Sequence, residues 1–408
     1  MARIDRLTVV AAAIAAFAGA ILVRTAKVQL VEHERWRAAA IAQQYSTPIL
    51  LARRGAISDG TEVPLAESEE LVSVAIAPRE IPAERRREMV RVLRGTRTLK
   101  LTEKQLRAVR DTSDPWIPIP GVHYTRDLDV IRRLPGVHLT PAIRRSLTAP
   151  VSLVPIVGRL DRTGRATDGL ELALDSLLTG VQGTGLMLRD RSREQPYSPA
   201  SSMTAATPGH DIVLTFNRAL QDVVERELLA GVRRHGAIGG DVLVMQARTG
   251  AVLAAVGVRN GRVVPSATPL TEPYEPGSVI KPFVVGALLD RGRTTAETVL
   301  NTENGVWTFN GRRFEDSHKA ARMSVADIIR FSSNIGIVKL VHGALDADDE
   351  YALMRDLGFG APTGVPYLGE SSGRLPTTDR WTKWTWAQLA TGYEVMATPL
   401  QLAQAYTL

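Results

Sequence analysis

Seventeen residues without a charge, Leu7 to Val23, stand between Arg6 and Arg24 near the start of the chain. At ~1.5 Å rise per residue a helix of that length spans roughly 25 Å, slightly short of a hydrocarbon core and bridged by a snorkelling Arg24. A cleaved signal peptide is the competing reading, since Ala18-Gly19-Ala20 offers small residues near a cut. The apolar run continues through Ile21-Leu22-Val23, so an uncleaved anchor over residues 1–25 is expected. Charge does not orient it, because Arg3 and Arg6 face Arg24, Lys27, Arg35 and Arg37 on the other side.

The remaining length, out of 408 residues, is more than one ordinary domain needs. Hydrophobic content of 44% with 23% charged residues excludes a disordered or low-complexity chain. Zero cysteines exclude a disulfide scaffold, thiolate catalysis and Cys-ligated metal sites. The net charge of +7 is carried mostly by arginine, and lysine is scarce. Arg85-Arg86-Arg87 and Arg91 lack interleaved aromatics and alternate with Glu84 and Glu88, so they read as a solvated helix face and not as a nucleic-acid site.

Helical spacing from Ala26 to Gln44 continues the anchor as a stalk, which breaks at the turn residues near Arg53-Arg54-Gly55. Leu71 to Ala77 reads as a strand, Pro82 to Leu93 as a basic helix, and another helix follows Thr102. Ser, Pro, Thr and Ala cluster from Gln195 to Pro208, which places a domain boundary at 208/209. Beyond it come a strand over Asp211–Phe216 and a helix from Leu220 to Val232 stopped at Gly236. Two β runs, Asp241–Met245 and Ala251–Val256, then form a hairpin. Such a mixture describes an α/β or α+β domain.

The chemistry begins at Pro276-Gly277-Ser278-Val279-Ile280-Lys281. Proline and glycine punctuate a helix start, and residues three apart on a helix share a face. A serine hydroxyl is a weak nucleophile until a base takes its proton. Lysine serves as that base when neutral, and burial beside a helix N-terminus lowers its pKa. The four-residue pattern alone is weak; its position after a β hairpin strengthens it. Ser332-Ser333-Asn334 follows the apolar helical segment Val325–Phe331. Its serine suits a proton relay, and its asparagine amide suits holding a peptide by donor and acceptor together.

These two segments resemble the first two motifs of the penicillin-binding proteins. Gly369-Glu370-Ser371-Ser372-Gly373-Arg374-Leu375-Pro376, Arg380-Trp381 and Ala397-Thr398-Pro399-Leu400-Gln401-Leu402-Ala403 are similar to the class B, division-specific branch. Arg54-Gly55 with Ile57 and Asp59 is similar to its juxtamembrane segment, and Leu214-Thr215, Leu220-Gln221 and Thr249-Gly250 to the start of its catalytic domain. The resemblance implies an α/β fold with a transmembrane helix, an elongated α+β pedestal over 26–208 and a transpeptidase domain of helices on a mainly antiparallel sheet over 209–408. It implies a septal peptidoglycan D,D-transpeptidase in which Ser278 is the nucleophile, Lys281 its base, Ser332 a proton relay and Asn334 the residue that orients the donor peptide. It further implies stem peptides and β-lactams as ligands, and no metal or organic cofactor. The implied partners are divisome proteins and a membrane glycosyltransferase of the shape, elongation, division and sporulation family. The N-terminus is then inside the cytoplasmic membrane and the bulk of the chain outside it.

Departures accompany the likeness. The family's Lys-Thr-Gly or Lys-Ser-Gly motif is absent, and the sequence stops at Leu408 within an apolar helical pattern. A C-terminal truncation is therefore expected, and a chain ending there is expected to be inactive. A non-catalytic scaffold or β-lactam-binding module is the alternative, and a serine β-lactamase is disfavoured by the anchor and the long N-terminal region. Glu394 stands where relatives often have glycine and receives no role. His318 reads as a surface residue, and Trp381, Trp384 and Trp386 as packing behind the site. Gly183-Thr184-Gly185 lacks the third glycine of a dinucleotide loop.

Overall fold

The uncharged run folds as expected and extends further. In the computed structural model an α-helix covers Arg6–Ala26 and opens into a π turn at Lys27–Val31. The span Val9–Val31 is long and apolar enough to cross a membrane. The stalk then restarts as a separate helix, His33–Gln44. At the joint, Glu32 accepts a hydrogen bond from Trp36 Nε1 (3.0 Å). The structure describes residues 6–46, 49–185, 187–188 and 203–408. Most of the Ser/Pro/Thr/Ala cluster thus lies outside the described residues.

The described chain divides into two compact units that interleave in sequence. The first comprises 1–54, 70–143 and 179–209, and the second comprises 55–69, 144–178 and 210–408. A single boundary at 208/209 does not describe this division. The reason is packing: Ile57, Leu65, Leu153, Ile156 and Leu178, all before residue 208, bury in one cluster with Phe216, Ala255 and Leu270. Apolar side chains that share a core belong to one unit wherever they stand in sequence.

The first unit is α+β. Strand residues 70–76 pair antiparallel with Ile117–His123 through Val74↔Ile119 and Ile76↔Ile117. The helices Arg86–Gly95 and Glu103–Asp111 bury Met89, Leu93, Leu106 and Val109 against that pair. Thr102 starts the second helix with a capping box, its hydroxyl accepting from Gln105 N–H. Arg85, Arg87 and Arg91 point to solvent. Gly183–Gly185 is a strand and not a phosphate loop.

In the second unit the helix Arg218–His235 lies on an antiparallel sheet of Gly239–Met245, Val252–Arg259 and Arg262–Val263. Asn217 caps its start, and Gly236 ends it at φ 58°. Gln221 is fully buried on the apolar side of this helix and behaves as an extra strand neighbour. Its Oε1 accepts from Ala255 N–H (3.0 Å) and its Nε2 donates to Ala255 O (2.7 Å) and Ser152 Oγ (2.9 Å). The strand expected over Asp211–Phe216 shrinks to Ile212–Val213, parallel to Ile57–Ser58. Its flanks serve as anchors instead: Asp211 Oδ1 accepts from Ala56 N–H, and Phe216 O accepts from Gly60 N–H.

Asp59 pins this arrangement. It is 1% exposed; Oδ1 accepts from Thr61 N–H, Thr61 Oγ and Val63 N–H, and Oδ2 accepts from Arg218 N–H at the start of the long helix. Burial works to raise its carboxyl pKa, but the N–H and hydroxyl donors outweigh it and hold the pKa below the usual value. Asp59→Ala strands three backbone donors at about 1–3 kcal/mol each, so a loss of about 3 kcal/mol or more in unfolding free energy is expected. The depressed carboxyl contributes stability above its unfolded pKa, near 4, that is lost as pH falls through the folded value. Denaturant midpoints for parent and variant at pH 7 and pH 3 check this: the gap narrows at low pH if the account is right.

Candidate active site

Two turns bring the chemistry together. Pro276-Gly277 turns the chain into a 3₁₀ segment, Gly277–Ile280, which runs on as the α-helix Lys281–Asp290. Gly277 has φ 61° and donates its N–H to Gly392 O (2.9 Å), a left-handed turn that suits glycine. Ile280, Val284, Val285 and Leu288 bury the helix in the main apolar cluster of the unit, which rigidly places the residues between them. Pro282 sits in the first turn, where its missing N–H costs no helical hydrogen bond. Ser278 faces solvent while Lys281 is 1% exposed.

The second turn follows the helix Val325–Arg330. Ser332 takes φ 55°, an uncommon conformation for a residue with a side chain. Ser333 then caps the helix Asn334–His342, its hydroxyl accepting from Gly336 N–H (2.8 Å). Strain of this kind concentrates where a site demands a particular side-chain direction.

The Lys281 ammonium joins the two segments. Nζ donates to Ser332 O (2.8 Å), Ser332 Oγ (3.1 Å) and Asn334 Oδ1 (2.7 Å). These are three acceptors for three protons. Burial pushes the Lys281 pKa down to about 8, and the negative charge of Asp316 opposes that shift. Among the described residues the Ser278 hydroxyl makes no hydrogen bond, which leaves it open on the solvent side. Ser278, Lys281, Ser332 and Asn334 thus come from two helix starts, with the lysine bonded to the second.

Asp316 belongs to the same site. It is 6% exposed and follows the hairpin strand Arg312–Glu315. Oδ1 accepts from Asn334 N–H (2.6 Å) and Ile335 N–H (3.0 Å), and Oδ2 accepts from Ser333 Oγ (2.5 Å). The carboxylate therefore caps the helix that carries Asn334, where negative charge is favoured. The neighbouring Glu315 O takes the Asn334 amide through Nδ2 (3.1 Å), which fixes its Oδ1 toward Lys281. Sequence reading missed Asp316 because nothing local marks it. An aspartate seventeen positions before its partner has no period or spacing to reveal it.

Residues 240–408 match the family model for the penicillin-binding protein transpeptidase domain. The chain is 34% identical over 262 residues to a probable peptidoglycan D,D-transpeptidase, PenA, of Neisseria gonorrhoeae, covering 62% of this chain and 45% of that one. It is 30% identical over 283 residues to the peptidoglycan D,D-transpeptidase FtsI of Escherichia coli K12, covering 67% and 47%. Residues 240–408 belong to the penicillin-binding protein transpeptidase domain family. The chain spans about half the length of these curated relatives. The fold agrees: penicillin-binding protein 2X of Streptococcus thermophilus aligns with a TM-score of 0.70 at 20% identity, over 89% of this chain and 59% of that one. A peptidoglycan synthase complex solved for the coordination of polymerization and crosslinking aligns at 0.66 and 23% identity, over 99% and 77%.

The remaining residues singled out in the sequence take defined places. Trp381 and Trp386 pack on the main cluster and donate Nε1–H to Pro376 O and Lys383 O (both 3.0 Å). Trp384 lies instead beneath the cations of Arg312 and Lys383. His318 is exposed and stacks on Phe331, one residue before the Ser332 turn (4.1 Å between ring centroids). Glu394 has φ 62°, a left-handed conformation that glycine adopts more freely than a residue with a side chain.

Proposed function

We propose that the protein is a membrane-anchored peptidoglycan D,D-transpeptidase acting in septal wall synthesis, with its catalytic unit on the extracytoplasmic side. The observation that carries this reading is the triple hydrogen bond of Lys281, which holds the base of one motif against the serine and asparagine of the other. In the forward reaction neutral Lys281 takes the Ser278 proton, and Ser278 Oγ attacks the carbonyl of the penultimate D-alanine of a stem peptide. The Ser278 N–H, in the first turn before intrahelical bonds begin, donates to the developing oxyanion. Ser332 Oγ returns a proton from Lys281 to the leaving D-alanine, and Asn334 orients the donor strand. An amine of a neighbouring stem peptide then resolves the acyl-enzyme. β-Lactams acylate the same serine.

Similarity to FtsI supports the division role. The structural likenesses include a peptidoglycan synthase complex and a penicillin-binding protein complexed with MreC of Helicobacter pylori. They support a membrane glycosyltransferase and other envelope proteins as partners. The test is adduct mapping: the full-length protein, incubated with a fluorescent penicillin and digested, yields a labelled peptide whose modified residue is Ser278. A label carried by any other serine sinks the assignment.

A further inference from the structure

A short irregular stretch, 392–397, runs beside the turn that presents Ser278. On one side Gly392 O accepts from Gly277 N–H, Glu394 N–H donates to Glu275 Oε1 (3.1 Å), and Tyr274 and Ala397 exchange backbone hydrogen bonds. On the other side Arg374 and Met396 exchange theirs (both 2.8 Å). The stretch therefore ties the nucleophile turn to the segment around Arg374. A cleft of about 530 Å³ opens there, lined by Arg374, Leu375, Pro376, Thr377, Arg380 and Glu394.

Two guanidinium groups and one carboxylate line this cleft, and among the described residues none of the three is in an ion pair. Glu275 is the further charge at its nucleophile end, and Asp379 adjoins Arg380 in sequence. Fixed charges of both signs, unpaired in one concave site whose Glu394 is hydrogen-bonded to Glu275 just before the Ser278 turn, match a ligand that itself carries both signs. Glu394 strengthens the argument. It holds a left-handed backbone conformation that glycine adopts freely, so its side chain is kept at a conformational cost.

We propose that the Arg374–Arg380–Glu394 cleft is the acceptor subsite and takes a stem-peptide end bearing an ammonium and a carboxylate on one carbon. This rests on the transpeptidase reading above. The arginines hold the carboxylate, and Glu394 accepts a hydrogen bond from the amino group. A simple carboxylate ligand such as the donor terminus needs no Glu394, which repels it. In the step itself the ammonium first gives one proton to solvent. Its nitrogen then bonds to the acyl carbon of the Ser278 ester, and the bond from that carbon to Ser278 Oγ breaks. The second proton passes through Lys281 to Oγ, leaving a new amide and the free hydroxyl.

The experiment uses the full-length protein with a thioester donor, reading hydrolysis and aminolysis separately, and D-alanine or D-alaninamide as acceptor. Glu394→Gln, and Glu394→Gly which also relieves the backbone, are expected to lower the aminolysis-to-hydrolysis ratio about tenfold or more while penicillin labelling keeps its rate. Arg374→Gln combined with Arg380→Gln is expected to raise the KM for D-alanine about tenfold and leave that for D-alaninamide unchanged. An unchanged ratio in both Glu394 variants overturns the proposal. So does a parallel fall in penicillin labelling, which assigns the cleft to the donor or to structure. A parent protein that forms no acyl-enzyme with either the thioester or penicillin overturns the transpeptidase reading itself, a result distinguishable from the other two.

Discussion

Lys281→Arg is expected to lower the rate of penicillin acylation by ~10²-fold or more, the usual scale for loss of a general base. The substitution keeps a cation near Ser332 and Asn334, yet guanidinium stays protonated and cannot accept the Ser278 proton. The parent carries the complementary signature. Burial lowers the Lys281 pKa to about 8, so the neutral, proton-accepting form grows as pH rises through that value. Acylation by the parent should therefore climb with pH and level off above about 8, and the arginine variant should be slow and flat over the same range. Stopped-flow labelling between pH 6 and 9.5 measures both. An arginine variant within a few-fold of the parent rate, or a parent profile that falls with pH, means that some other group takes the proton.

Substitution of Asp316 should separate charge from structure. Asp316→Ala removes the acceptor for two helix N–H groups and for Ser333 Oγ, each buried loss costing about 1–3 kcal/mol. A fall of about 3 kcal/mol or more in stability is expected, with a ~10²-fold loss of acylation as Asn334 leaves its position. Asp316→Asn keeps the acceptor oxygen toward Asn334 and Ile335 and turns its amide toward Ser333 Oγ, so most of the stability should survive. What it removes is the negative charge that holds the Lys281 pKa up. The midpoint of the pH–acylation profile should then move below about 8, since the protonated lysine loses its counter-charge. A midpoint that stays or rises in Asp316→Asn refutes the electrostatic part. Parent-like stability in Asp316→Ala refutes the structural part.

Each of the two proposed carboxylate anchors reaches across a long sequence gap. Asp59 grips the start of the helix at Arg218, and Asp316 grips the start of the helix at Asn334. Both stand before a helix N-terminus they do not adjoin in sequence. The second unit is thus assembled by tertiary capping, where a loop from elsewhere in the chain supplies the acceptor that a helix start lacks.

Local pattern was enough for much of this protein. The uncharged run with its flanking arginines read as a membrane-length helix; apolar spacing with Gly236 bounded the long helix; alternation and a Thr-Gly turn marked the hairpin behind it. The Ser278–Lys281 and Ser332–Asn334 segments were legible too, because their chemistry depends on residue types a few positions apart at helix starts. Three other features depend on distances that no local window contains. The interleaving of the two units follows from Ile57 and Leu65 sharing a core with Phe216. The lowered pKa of Lys281 follows from its enclosure, and its bonds from the approach of a helix some fifty positions away. The conformation of Glu394 and the charged cleft beside it exist only because 392–397 is held between Tyr274 and Arg374. Propensity and period act over one or two turns of chain, whereas burial and long-range hydrogen bonds are set by which segments the folded core brings side by side.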